Sequence, residues 1–364
     1  MTADPPPVLD DPAERAKRDP SGMLQAVYAL PEQCREAWTA AKAFRLPWKE
    51  PPSQIVILGM GGSAIAGDYF RALLSLESTL PVFNVRAYGL PRFVDDDTLV
   101  IVSSFSGETE ETLSAFEQAL AMPVRKLAIT TGGRLLTTAR ANGVPAFTFE
   151  YKGEPRAAIG WGLMPLLAIS EKLGLMQGVE GDLEEAIAVL TSLREEYLAE
   201  VDTSRNPAKQ LAMRLHERLP VIYGAGALIE VARRWKTQLN ESAKVWAFFE
   251  EMPEAHHNAI VGMGLPQAIA GATIVVVLRS RSLDHQRVVL RYDLAQRLLA
   301  EAEIDKLELT ARGKSALAQM LSLTLLGDYA AAYLALLYGV DPTPTAVIDE
   351  LKASLVKAGR PARS

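Results

Sequence analysis

Short unbroken runs of apolar residues, each ending at glycines or hydroxyl residues, set the rhythm of the first half of this chain. Ile55-Val56-Ile57-Leu58 stops at Gly59-Met60-Gly61-Gly62-Ser63, and Leu99-Val100-Ile101-Val102 stops at Ser103-Ser104-Phe105-Ser106-Gly107. Strands that are apolar on both faces belong inside a parallel sheet, and the loops that follow them gather at its carboxyl edge. Around these runs the spacing predicts helices over 63–76, 111–122 and 135–142, with further strands over 82–85, 127–130 and 144–147. One helix is expected over 24–44 as packing material. Two more are expected over 154–173 and 182–200, the second capped at Gly181-Asp182.

The cycle then repeats. A strand over 220–223 ends at Gly224-Ala225-Gly226 before a helix that runs through Glu241. Strands over 245–249, 273–278 and 306–309 follow, with a helix over 284–302 and a last helix over 343–357. The expected fold is α/β, with two doubly wound parallel-sheet domains in three layers, an N-terminal helix and C-terminal helices. Residues 1–22, rich in proline and acids, are expected as a loosely held arm. Residues 23–175 make the first domain, 176–205 a linking helix, and 206–364 the second domain with a C-terminal helix.

Composition narrows the function classes. With 364 residues, 49% hydrophobic and 23% charged, the chain can bury a large core. A formal net charge of -6 argues against nucleic acid as a partner but leaves room for a local basic pocket. Cys34 is the one cysteine, which excludes an intrachain disulfide or a cysteine metal cluster and suits a reducing cytoplasm. Nothing at the N-terminus reads as a secretory signal. The longest apolar stretch, 315–340, is interrupted by Gly327 and Asp328, so a buried core helix is expected there and no membrane span.

The two glycine and hydroxyl loops suggest one anion site. Amides at a helix start, with Ser63, Ser104, Ser106, Thr109 and Thr112 beside them, can hold a phosphate without a lysine, because unpaired donors and the helix dipole point the same way. The loop at Gly224 and Gly226 offers no serine or threonine matching Ser63 or Ser104, so only the first half looks built for phosphate. Gly59-x-Gly61-x-x-Ala64 also matches a dinucleotide fingerprint weakly. Arg86, in place of an acid after the second strand, would restrict that reading to a 2′-phosphorylated cofactor.

The Gly59–Ser63 loop together with Ser104-Phe105-Ser106-Gly107-Glu108-Thr109-Glu110-Glu111-Thr112 resembles the sugar isomerase (SIS) domain family. Glu154-Pro155-Arg156-Ala157-Ala158, Asn240-Glu241-Ser242-Ala243-Lys244, Pro253-Glu254-Ala255-His256-His257-Asn258 and Gly339-Val340-Asp341-Pro342-Thr343 through Lys352 resemble the bifunctional phosphoglucose/phosphomannose isomerases. The likeness runs from about Met23 to Lys352. It implies interconversion of glucose 6-phosphate, and of mannose 6-phosphate, with fructose 6-phosphate through a cis-enediolate. Gly61, Gly62, Ser63, Ser104, Ser106 and Thr109 would hold the phosphate.

Such an isomerase must open a ring, take a proton from carbon next to a carbonyl, and stabilise the enediolate. Glu241, at a helix end, is the candidate base. By resemblance Arg156 stabilises the enediolate, His257 and Lys352 open the ring, and Thr345 admits the C2 epimer. His257 reaches the partner's site in relatives, which implies a homodimer; His216 and His285 fall in helical patterns as structural residues. No cofactor and no metal are expected. Relatives carry asparagine where Glu108 stands, so this carboxylate must point away from the phosphate or cap a helix. Another SIS phosphosugar isomerase, a non-catalytic sugar-phosphate-binding regulator and a dehydrogenase remain as alternatives.

Overall fold

A computed structural model describes residues 7–359. In chain order it holds helices α1 (Pro12–Arg18), α2 (Met23–Tyr28) and α3 (Leu30–Ala43), then β1 (Gln54–Leu58), α4 (Gly61–Leu74), β2 (Val82–Val85), β3 (Thr98–Ser103), α5 (Glu110–Leu120), β4 (Arg125–Thr130), α6 (Gly133–Ala141) and β5 (Ala146–Thr148). A 3-10 turn at Pro155–Ala157 precedes α7 (Ile159–Lys172), α8 (Val179–Tyr197) and α9 (Pro207–Leu215). The second half continues with β6 (Leu219–Ala225), α10 (Leu228–Glu241), β7 (Phe248–Met252), α11 (Gln267–Ala272), β8 (Thr273–Arg279), α12 (Gln286–Glu301), β9 (Asp305–Thr310), α13 (Ala316–Tyr338) and α14 (Ala346–Ala358).

All strand pairs are parallel, in the orders β2-β1-β3-β4-β5 and β7-β6-β8-β9. The central strand β3 is buried along its whole length, as its unbroken apolar run requires. Each sheet reverses strand order beside its first strand, so the loops after β1 and β3, and after β6 and β8, flank the two switch points where such folds bind ligands. One apolar core spans both halves, drawing on α3, α4, α7, α8, α10 and α13. Helix α13 has the length and hydropathy of a membrane span, but 94% of its most apolar window is buried inside the protein. It is a core helix.

Three expectations change. The helix expected over 24–44 is two, because Pro31 at the second position of α3 has no N–H and its ring cannot follow an unbroken preceding turn. The helix at 182 starts earlier, at Val179, and its cap position is Gly178 in the left-handed conformation, so Gly181-Asp182 lies inside it. The expected loose arm is docked from residue 7 onward, while residues 1–6 lie outside the described residues. Leu9 is fully buried, Asp10 accepts hydrogen bonds from Thr203 N and Lys209 Nζ, and Arg18 Nη1 donates to Leu336 O at 2.6 Å. These partners are about 200 or 300 residues away in sequence, so no local pattern reveals them.

Candidate active site

The β1–α4 and β3–α5 loops meet. Phe105 N donates to Ser63 Oγ at 3.1 Å, Gly107 N to Ser104 Oγ at 3.1 Å, and Glu108 N to Ser106 Oγ at 3.2 Å, while the Ser104 and Thr109 hydroxyls are 2.9 Å apart. Gly107 sits at φ 70° against the carbonyl of Gly132, where a side chain would both strain the backbone and collide. Neither α4 nor α5 has a side-chain N-cap, since Met60 offers none and the Thr109 hydroxyl turns to Ser104. Two helix starts therefore present amides that no residue inside their helices can accept from. Glu108 does not compete for them, because its Oε1 accepts from Arg134 N at 2.7 Å, in the first turn of α6.

Beside this cradle lies a cavity of ≈ 270 Å³ whose wall includes Gly61, Gly62, Arg156, Arg234, Gln238 and Glu241. Gly62 couples the two regions. A side chain there would meet Pro155 O at 2.9 Å and Arg156 N at 3.2 Å, so only glycine lets the start of α4 touch the turn that carries Arg156.

Arg156 is 4% exposed and joins several segments. Its Nε donates to Ser242 Oγ at 3.2 Å, Nη1 to Glu154 Oε2 at 3.3 Å, and Nη2 to the carbonyls of Pro342 and Thr343. Nη1 also lies 3.8 Å from Glu241 Oε2, at the C-terminal end of α10. Burial lowers the Arg156 pKa against the pull of Glu241, and burial raises that of Glu241 against the pull of Arg156 and Arg234. A carboxylate with a raised pKa is a stronger base than an exposed one, and it faces a fixed guanidinium. Lys244, whose Nζ donates to Glu241 O and Pro342 O, has its pKa lowered by burial and then by Arg156.

Of the residues expected at the site, Gly61, Gly62, Arg156 and Glu241 wall the cavity, and Ser63, Ser104, Ser106 and Thr109 form the adjoining cradle without walling it. Thr345 is the half-buried N-cap residue of α14, two positions after the carbonyl that Arg156 holds. Lys352 is exposed on α14, and His257 is exposed on a 3-10 turn beyond β7, so the single chain brings neither to the cavity wall. His216 and His285 flank helices instead of lying inside them; His285 Nδ1 accepts from Arg287 N at the start of α12. Arg86, weighed for a cofactor phosphate, is paired with Asp68.

Beyond Arg86, the basic lining was missed: Arg233, Arg234 and Lys236 share the cavity wall with it. So was the buried partner of Arg234, Asp328, at 2.6 Å. Burial works against the Arg234 charge, but Asp328 more than restores it, leaving the guanidinium pKa raised. The signal was visible, since an acid inside the apolar run of α13 must find a partner. Among the described residues, no three histidine, cysteine, aspartate or glutamate side chains form a group able to hold a metal.

Comparison with known proteins gives two family matches. Residues 50–135 match the SIS domain, and residues 204–355 match the bacterial phospho-glucose isomerase C-terminal SIS domain. A bifunctional phosphoglucose/phosphomannose isomerase of Caldicellulosiruptor bescii is 42% identical over 92% of this chain and 99% of its own length. One from Aquifex aeolicus is 35% identical over 84% of this chain and 92% of its own. Among solved structures, a hypothetical protein from Thermus thermophilus superposes with a TM-score of 0.75 at 19% identity, covering 97% of this chain and 95% of that one, a likeness of fold.

Proposed function

Because this chain belongs to the bifunctional phosphoglucose/phosphomannose isomerase family and is a sugar-phosphate isomerase, we propose that it interconverts glucose 6-phosphate, and mannose 6-phosphate, with fructose 6-phosphate in the cytoplasm. The observation that carries this reading is the 3.8 Å pair of Glu241 and Arg156 in a cavity that shares Gly62 with the uncapped start of α4, beside which the uncapped start of α5 lies. The phosphate occupies the cradle of Gly61, Gly62, Ser63, Ser104, Ser106 and Thr109, held by amides and hydroxyls. In the open-chain aldose, Glu241 takes the proton from C2, the C1 oxygen gains charge, and a cis-enediolate forms. Arg156 offsets that charge, the hydroxyl proton passes from O2 to O1, and Glu241 returns the carbon proton to C1, giving the ketose. No cofactor enters these steps.

Ring opening falls to His257 and Lys352, and Thr345 lets the sugar enter with either configuration at C2. His257 acts in the site of a second copy, since it is exposed on its own chain. Exposed apolar residues support that assembly: Trp246, Val261, Leu265, Val347, Leu351 and Val356 are each more than half exposed, all in the second half. The test is a coupled assay of purified protein with both aldose phosphates. Fructose 6-phosphate should form from each, and Glu241→Gln should abolish turnover while the sugar phosphate still binds. Wild-type turnover by Glu241→Gln would mean that another group is the base.

A further inference from the structure

Two buried polar atoms on residues that line the cavity have no partner among the described residues, one a donor and one an acceptor. They are Arg234 Nε and Gln238 Oε1, on side chains 2% and 3% exposed. Positions 234, 238 and 241 follow the i, i+4, i+7 spacing of one helix face, so both side chains share the face of α10 that carries Glu241 into the cavity. Their orientation is set from behind. Asp328 Oδ2 accepts from Arg234 Nη2 at 2.6 Å, and Asp328 Oδ1 accepts from Gln238 Nε2 at 2.7 Å. A carboxylate only accepts, so the Gln238 amide cannot flip, and its oxygen is the end left free. Arg234 Nη2 is also tied to Arg156 O at 2.8 Å.

A buried donor and a buried acceptor left open one helical turn apart suit a group that accepts and donates at once, and a hydroxyl does both. A phosphate or carboxylate would suit Arg234 but meet the Gln238 oxygen with like charge. We propose that Arg234 and Gln238 form a hydroxyl-reading subsite of the isomerase. They would receive the hydroxyl on C3 or C4 of the sugar, with Asp328 as the positioning residue behind them. This inference rests on the hexose 6-phosphate reading and adds to it a selectivity for substrates that keep that hydroxyl.

The test compares kcat/KM of wild type and Gln238→Met on glucose 6-phosphate and on its 3-deoxy and 4-deoxy analogues. Wild type should lose roughly 10- to 100-fold on one analogue, the cost of leaving the buried pair unmatched. Gln238→Met should lose a similar factor on glucose 6-phosphate yet differ little from wild type on that analogue. Equal losses on all three substrates would mark a merely structural residue and overturn the proposal. Undiminished wild-type activity on both analogues would overturn it without any variant, should Gln238→Met fail to fold. If wild type turned over no hexose 6-phosphate, the isomerase substrate would be misassigned, and calorimetric binding of the same three compounds would then test the subsite against the same pattern.

Discussion

The two sheets have the same strand order around their switch points, yet only one presents an open anion cradle. After β1, α4 has no acidic residue in its first turn and no side-chain cap, whereas after β6 the first turn of α10 holds Glu230, buried and paired with Arg71 and Arg233. After β3, the loop carboxylate Glu108 turns outward to α6. After β8, where topology puts the counterpart of the Ser104 loop, Ser280 supplies a hydroxyl. That hydroxyl accepts from Ser282 N and Leu283 N and pairs with Gln319, while Asp284 Oδ2 accepts from Ser280 N at 2.8 Å. At the β8 edge the second half's own carboxylate, Asp284, takes a loop amide, and the end of α10 carries Glu241 to the cavity. On the proposed mechanism, a duplicated architecture supplies one holding edge and one reacting helix.

The largest effect should come from the reacting helix. Glu241→Gln should lower kcat by about 10³- to 10⁴-fold with KM little changed, as steady-state kinetics would report. Arg156→Met should lower kcat/KM by about 10²- to 10³-fold. It should also move the acid limb of the pH profile. Glu241 works deprotonated, so activity falls as pH drops through its raised pKa. Arg156 opposes that rise, and removing it should carry the limb to still higher pH.

The holding edge should respond in KM. Ser106→Asp copies the second half's device into the first and should raise KM for the sugar phosphate by roughly 10-fold or more, while Asp284→Asn should leave KM within about twofold. If both variants weakened substrate equally, the contrast between the two edges would be lost. The smallest effect belongs to Glu108→Gln, which weakens one contact to the start of α6 and should cost about 1 kcal/mol or less in a denaturant titration.

Most of this arrangement could be read from the chain because its cues are local. An apolar run that halts at Gly59 or Ser103 marks both the strand and the loop, and Glu241 stands where the helix pattern after Gly226 ends. What escaped depends on contacts distant in sequence. The arm docks through Asp10 onto Thr203 and Lys209, and Arg234 pairs with Asp328 across 94 positions. His257, Lys352 and Thr345 were assigned by motif alone. Their elements are exposed or half-buried on one chain, so packing within it gives them no further support.

A crystal structure of Glu241→Gln with bound glucose 6-phosphate tests the central claim most directly. The account predicts phosphate oxygens at the amides and hydroxyls between Gly61 and Ser63 and between Ser104 and Thr109. It also predicts the C2 carbon within about 3.5 Å of the side chain at position 241. A phosphate seated instead against Arg86 and Arg233, with C2 remote from that side chain, would contradict it.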